Sequence, residues 1–219
     1  MSRKGIRNDE NLRRCAKCGG KCCKKSGCDY WVSDFDDLSY SGLLKVLSEG
    51  NISIVAAADF MRIDDKLVFS PFLYLRARNN NRDVVDLISM KTRCSMLTDK
   101  GCSYSYEERP SGGKNLQPKK FFFGKCRPIF SPRQKVLEWE PYQGVLRKIV
   151  KNYTGMSVET KIREDVENLF TDVVNRNFDG VLPEEVEDIG YLIPYLVETF
   201  PEEAIRVLTN VSGKVNIKK

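Results

Sequence analysis

The chain has 219 residues, enough for one domain or one domain with a small appendage, and its 41% hydrophobic and 30% charged content is that of a soluble globular protein rather than a disordered one. No apolar run approaches a membrane span, and the charged opening Met1-Ser-Arg-Lys-Gly-Ile-Arg7 has no apolar stretch behind it, which points to a cytoplasmic protein without membrane contact. Histidine is absent, which excludes Ser-His-Asp and Cys-His catalysis, HExxH zinc sites and mixed Cys/His fingers, so a metal must be held by cysteines, carboxylates or both.

In chain order, residues 1–30 are rich in Cys, Gly and Lys and lack apolar periodicity, so this segment cannot order itself by burying apolar surface. Asp34 to Leu38 and Ser41 to Gly50 read as helix, with Leu43, Leu44 and Leu47 on its apolar face and Gly50 as its stop. Ile52–Val55, Phe60–Ile63, Lys66–Phe69 and Phe72–Leu75 read as strands, with Asp64-Asp65 as the turn of the middle pair. Asp83 to Met90 fits a further strand or short helix, and 95–120 carries turn signals. From 135 onward the spacing is helical over Tyr142–Tyr153, Ser157–Phe178, Pro183–Phe200 and Pro201–Asn210, with Pro183 and Pro201 in first turns and Gly155 and Gly180 as stops.

The chemistry-bearing residues are the eight cysteines. Cys15, Cys18, Cys22, Cys23 and Cys28 fall within fourteen residues, followed by Cys94, Cys102 and Cys126. The run Cys15-Ala-Lys-Cys18-Gly-Gly-Lys-Cys22-Cys23 is C-x2-C-x3-C-C; a C-x2-C loop presents two thiolates to one ion, and Gly19-Gly20 permits a tight turn. Lys17, Lys21, Lys24 and Lys25 favour the thiolate form that binds metal. A structural metal also contributes on the order of 10 kcal/mol of ordering free energy that this segment otherwise lacks. Adjacent side chains usually point apart, so Cys22 and Cys23 can serve one polynuclear cluster but more easily serve two neighbouring sites; eight thiols then suit two four-thiolate centres, or one centre with a reactive thiol set. All-sulfur ligation suits zinc and iron–sulfur alike. The spacing matches neither the ferredoxin run nor a C-x3-C-x2-C radical triad, since position 25 is Lys. Residues 1–134 hold 25 Lys+Arg against 15 Asp+Glu, and 135–219 hold 11 against 15. Thiolate centres are anionic, so part of the basic excess compensates them, a reading that competes with nucleic-acid binding.

The C-x2-C-x3-C-C run, then Cys94, the Asp99-Lys-Gly101 loop, Cys102, Tyr106-Glu-Glu-Arg109-Pro110 and Cys126-Arg127, resembles the YkgJ-type cysteine-cluster family over roughly 15–130. The resemblance implies a zinc- or iron-chelating domain. Two departures stand out. The third residue after the Arg-Pro proline, often Cys in the family, is Gly113, with Cys126 as a displaced ligand after an insertion from Ser111 to Lys125; and Cys28 is an addition. The family includes flagellin lysine N-methylase, so the resemblance also raises a lysine N-methyltransferase using S-adenosylmethionine, although no glycine-rich loop after a strand supports a methyl-donor site.

Three other stretches have a functional and a plain reading. Tyr104 to Pro110 can supply a pocket with Glu107 or Glu108 as base, or simply a turn that orients Cys102 by hydrogen bonds. Lys119 to Arg127 can stack on single-stranded nucleic acid, or form a buried strand with solvated ends. Arg109 to Lys114 lacks the phosphate-loop frame and reads as a flexible loop.

The expectation is an α+β fold: a metal-organised cysteine-cluster domain over 1–134 with a small sheet, then an α-helical segment over 135–219. The expected function is a metalloprotein holding a 4Fe-4S cluster or zinc through Cys15, Cys18, Cys22, Cys23, Cys28, Cys94, Cys102 and Cys126, in a structural or electron-transfer role. The alternatives are the methyltransferase acting on a protein partner and a nucleic-acid-binding module.

Overall fold

A computed structural model of the chain describes residues 28–79, 82–88, 94–99, 101–118, 126–128, 131–179, 181 and 183–215. Cys15, Cys18, Cys22 and Cys23, and with them the expected cysteine-rich lobe, lie outside the described residues.

A 3-10 turn at Val32–Asp34 leads to helix α1, Tyr40–Ser48. The expected helical stretch from Asp34 to Leu38 does not continue. Asp34 is committed elsewhere: its carboxylate accepts from Trp31 N at 2.8 Å and from Ser111 N at 3.0 Å. Asp37 folds onto Ser39 N, an Asx turn that competes with helix. Ser39 then caps α1 by accepting from Gly42 N, Leu43 and Leu47 bury one turn apart, and Gly50 leaves the helix at φ +87°.

The four expected strands are two long ones. Strands β1, Ile52–Ile63, and β2, Lys66–Ala77, pair antiparallel along their whole length, with Ile52 opposite Ala77 and Ile63 opposite Lys66. The expected turn is in place: Asp64 and Asp65 have φ of 48° and 60°, the doubly left-handed turn whose twist suits a two-residue hairpin. Only the inner half of the hairpin is core, through Ile52, Ile54, Val55, Leu73, Tyr74, Leu75 and Ala77. Segment 28–30 lies along β2, with Tyr30 N donating to Leu75 O and Ala77 N to Cys28 O, each at 2.9 Å. The stretch expected over 83–90 lies along β1 as a parallel bridge of Val85 to Ile54, with Ile54 N donating to Val84 O at 2.7 Å.

Two short hairpins follow. Strands β3, Leu97–Thr98, and β4, Gly101–Cys102, form one. Helix α2, Ser111–Asn115, intervenes, and β5, Leu116–Pro118, pairs with β6, Cys126–Pro128. The expected flexible loop over 109–114 is thus largely a helical turn packed on the chain. Of the expected strand over 119–127, residues 119–125 lie outside the described residues.

The remainder is helical: α3, Pro132–Leu137; a 3-10 turn, Glu140–Tyr142; α4, Gln143–Thr154; α5, Val158–Asn175; α6, Pro183–Thr199; and α7, Pro201–Val215. Gly155, at φ +70°, ends α4, and the Ser157 hydroxyl caps α5 by accepting from Thr160 N. α5 stops short of the expected Phe178 and Gly180. Arg176 turns left-handed at φ 52°, and Asn177 N closes onto Asp172 O at 2.8 Å. Glu203 of α7, 1% exposed, accepts from Arg163 of α5 at 2.8 Å and joins those two helices.

The mixed α+β class is as expected. The buried side chains form one cluster to which both sequence halves contribute: Leu43, Ile54, Leu75 and Leu87 together with Trp139, Leu146, Ile149 and Ile162. Trp139, fully buried, donates its indole N–H to Tyr30 O at 3.0 Å. Gln143 mimics a strand edge: its amide accepts from Leu73 N at 2.9 Å and donates to Leu73 O at 2.7 Å, which seals that part of β2 against the first turn of α4. Among the described residues no helix is long and apolar enough to cross a membrane.

Candidate metal centre

Two cysteines lie at the inner end of the β1–β2 hairpin. Cys28 lies opposite Ala77, and Cys94 forms an antiparallel bridge with Asn79, two positions further along the same chain. Alternate positions of an extended chain point to one face, and residues paired directly across share it. That face is closed: Leu75 is fully buried, and Ala77, Asn79 and Cys94 are each 3% exposed. Cys102 joins through the β3–β4 hairpin, where it sits opposite Leu97, whose own N–H donates to Cys94 O at 3.0 Å. Cys28, Cys94 and Cys102 are all free thiols, Cys94 buried and the other two half-buried.

Two tyrosines tie these positions together. The Tyr30 and Tyr104 phenols are hydrogen-bonded to each other. Burial, with Tyr104 beside it, holds the Tyr30 phenol well above its ordinary range. Burial also raises Tyr104, and the Cys94 and Cys102 sulfurs act on it in the same direction. Cys94 and Cys102, eight positions apart in sequence, thus both lie near Tyr104, and Cys94 also near Tyr30.

Segment 28–35, which carries the chain from the cysteine-rich stretch into this corner, is fixed from several sides. Besides β2 and Trp139, Arg76 Nε pairs with Asp29 Oδ1 at 3.0 Å, and Arg76 Nη2 donates to the Tyr74 hydroxyl at 2.6 Å. Burial works against the Arg76 charge, but Tyr74 and Asp29 together hold its pKa above the ordinary value. Burial pushes the Tyr74 phenol up to about 12, with Arg76 opposing the shift. From the other side, Gly112 N donates to Asp29 O at 3.0 Å, and Ser111 donates from both its N–H and its hydroxyl to Asp34.

The turn from Tyr104 to Pro110 is closed by bonds between Ser105 and Glu108. Glu108 accepts from Ser105 N at 2.9 Å, is exposed, and is held below the usual carboxylate range by that bond, so it is not poised as a base near neutrality. Arg109 is buried, 8% exposed, in the same corner as Cys28. Cys126 sits in β6 opposite Pro118.

Among the described residues, no group of three or more His, Cys, Asp or Glu side chains is placed to hold a metal ion.

A second feature, which sequence reading missed, is a cavity of about 210 Å³ between the 82–88 stretch and α5. Asp83, Asp86, Asp165 and Asp172 line it together with Arg82 and Lys161. Lys161 bonds Glu164 at 2.6 Å and Asp165 at 2.7 Å, and burial raises the Asp165 carboxyl in spite of that lysine. The helical spacing that would have revealed it, Lys161, Asp165 and Asp172 on one side of α5, reads in sequence as an ordinary solvated face.

Comparison of the chain with protein-family models, with curated proteins and with solved structures found no match.

Proposed function

We propose that this chain is a cysteine-cluster metalloprotein that holds an iron–sulfur cluster or zinc through thiolates, in a structural or electron-transfer role. The observation that supports the reading is that Cys28, directly after the cysteine-rich stretch in sequence, lies opposite Ala77, and Cys94 opposite Asn79 on the continuation of β2. The C-x2-C-x3-C-C run that precedes Cys28 in the sequence is the pattern of thiolate metal ligation rather than of cysteines kept for packing.

Purification without air, followed by metal and acid-labile sulfide analysis, tests it. An iron–sulfur protein is brown, and dithionite bleaches its visible absorption; a zinc protein is colourless and gains a visible band when cobalt replaces zinc. A preparation holding neither iron nor zinc, with its thiols freely titratable, refutes the reading.

A further inference from the structure

The β1–β2 hairpin is covered along its edges only in its inner half. On β1, Ile54 N donates to Val84 O, Asp86 N to Ile54 O and Ala56 N to Leu87 O. On β2, Cys28 and Tyr30 cover Ala77 and Leu75, and the Gln143 amide covers Leu73. These partners show which residues turn their backbone groups outward, and the alternation of an antiparallel pair continues the series. It puts Ala58, Phe60 and Arg62 outward on β1, and Pro71, Phe69 and Leu67 outward on β2. Among the described residues, no hydrogen bond from outside the hairpin reaches the backbone at these positions. The two open edges differ. Pro71 has no N–H to offer, and the β2 edge faces Glu159, Ile162 and Phe200 across a cavity of about 220 Å³. On β1 every outward position keeps both donor and acceptor. The helices cover one face of this outer half, with Phe60 against Tyr195 at 5.8 Å and Phe69 against Phe200 at 6.1 Å. The other face is bare: Met61, Ile63 and Val68 are 44%, 51% and 37% exposed.

We propose that the β1 edge over 58–62 pairs antiparallel with the same edge of a second copy of this chain, on a twofold axis at Phe60, so that two hairpins join into one sheet. The occupant is read from the edge itself. A row of outward donors and acceptors at strand spacing is complemented by another extended backbone, and run antiparallel this edge is its own complement. With the axis at Phe60, Phe60 meets Phe60 and Ala58 meets Arg62, so every outward position exchanges both of its bonds and no like charges stand opposite each other. An axis at 59 or 62 would set Asp59 against Asp59 or Arg62 against Arg62, and an axis at 61 would leave Ala58 against the turn. The same construction on β2 loses the Pro71 donor of each copy. The joined sheet lays Met61, Ile63 and Val68 of both copies along one face and supplies the further strands that a lone two-stranded ribbon lacks. The contact is a single strand pair, at or below the ~1,200 Å² at the low end of specific interfaces, so the dimer forms at micromolar concentration and dissociates on dilution.

The test uses the full-length chain under reductant, with its mass followed by sedimentation velocity from about 5 to about 500 µM. The mean mass rises from that of one chain towards that of two. Arg62→Pro removes an outward N–H from β1 without touching the β1–β2 ladder, and it stays monomeric throughout. Leu67→Pro stands opposite Arg62 and makes the same change on the β2 edge, and it associates as the wild type does. Circular dichroism and the urea midpoint establish that both variants are folded. Hydrogen exchange of the wild type needs no variant: the Ala58, Phe60 and Arg62 amides slow at least fivefold from the lowest to the highest concentration, while those of Leu67 and Phe69 do not change. A chain that stays monomeric, with exchange at 58–62 independent of concentration, overturns the proposal and leaves the edge to a foreign extended peptide. Association that survives in folded Arg62→Pro, or that is lost in folded Leu67→Pro, overturns the assignment to β1. Should either variant fail to fold, the exchange of the wild-type amides decides.

Discussion

Trp139→Phe probes the seam that joins the cysteine corner to the helical part. Trp139 is fully buried, its indole N–H donates to Tyr30 O at 3.0 Å, and its ring meets Phe35 edge-on at 5.7 Å and Tyr142 at 6.1 Å. Phenylalanine keeps an aromatic ring between Phe35 and Tyr142 but has no donor, so the Tyr30 carbonyl loses its indole partner at a cost of about 1–3 kcal/mol. The smaller ring also leaves a void, at about 24 cal/mol per Å³, which adds roughly 1 kcal/mol. The expected total is about 2–4 kcal/mol, a large share of the 5–15 kcal/mol that holds an ordinary domain together. Urea unfolding followed by circular dichroism at 222 nm measures it, with the slope checked for two-state behaviour. Because Tyr30 lies two residues from Cys28, the same variant should also raise the rate at which Cys28 reacts with a thiol reagent in metal-free protein. A stability loss below about 1 kcal/mol, with unchanged Cys28 reactivity, would refute the claim that this bond fastens segment 28–35 to the helices.

Three further outcomes follow from the same coordinates. Gly112→Ala places a methyl group 2.4 Å from the Asp29 carbonyl oxygen, and a loss of about 1–3 kcal/mol in urea unfolding is expected; an unchanged midpoint would mean that α2 is not seated on segment 28–30. Asp65→Gly relieves a left-handed residue at φ 60° in the hairpin turn and should slow hydrogen exchange of the adjoining amides by a few-fold, equivalent to about 0.5–1 kcal/mol. Tyr74 has its pKa raised by burial to about 12 against 10 in the unfolded chain, so its contribution is complete below pH 10 and is lost as pH rises from 10 to about 12. Two pKa units correspond to about 2–3 kcal/mol, and Tyr74→Phe should flatten that part of the pH–stability profile; an identical alkaline decline in the variant would remove Tyr74 as its cause.

What the sequence made legible was local. Gly50, Ser157, Gly155, Pro183 and Pro201 each bound a helix as their chemistry requires, and Asp64-Asp65 marked the hairpin turn, whereas the Ser39 cap was not read from the sequence. The misses share a cause, which is that a tertiary partner decided the outcome. Asp34 looked like the start of a helix, but its carboxylate is taken by Ser111, 77 positions away. The strand breaks expected at Ala56–Asp59 and Ser70–Pro71 vanish because each residue has a partner across the hairpin, Ala58 with Pro71 and Asp59 with Ser70. Gly112 and Gly113 read as flexibility, yet they are small because Asp29 and Cys28 press against them. The cysteines were legible as a set, but the positions of Cys28, Cys94 and Cys102 along β2 and β4 were not, since register follows from pairing that no local pattern encodes.

The anchoring of Cys28 has an energetic consequence for any metal bound by the segment before it. If the segment were tethered to the body only at Cys94, bringing Cys23 to a shared ion would close a loop of 71 positions. With Cys28 held on β2, α2 and the Trp139 seam, the loop from Cys23 to the body is five positions. Loop-closure entropy grows as 1.5RT times the logarithm of length, so the shorter loop favours the same coordination by about 2 kcal/mol. That corresponds to roughly thirtyfold or more in metal affinity. The body thus contributes to such a site even without touching the ion, by fixing the end of a segment that lacks the apolar periodicity to fix itself. The argument also ranks the contacts around residue 28. The bonds from Ala77 N and Gly112 N hold the end itself, and Trp139 holds it through Tyr30. Loosening any one of them lengthens the effective loop, so their loss should weaken metal binding in proportion to the freedom each restores, with every thiol left in place.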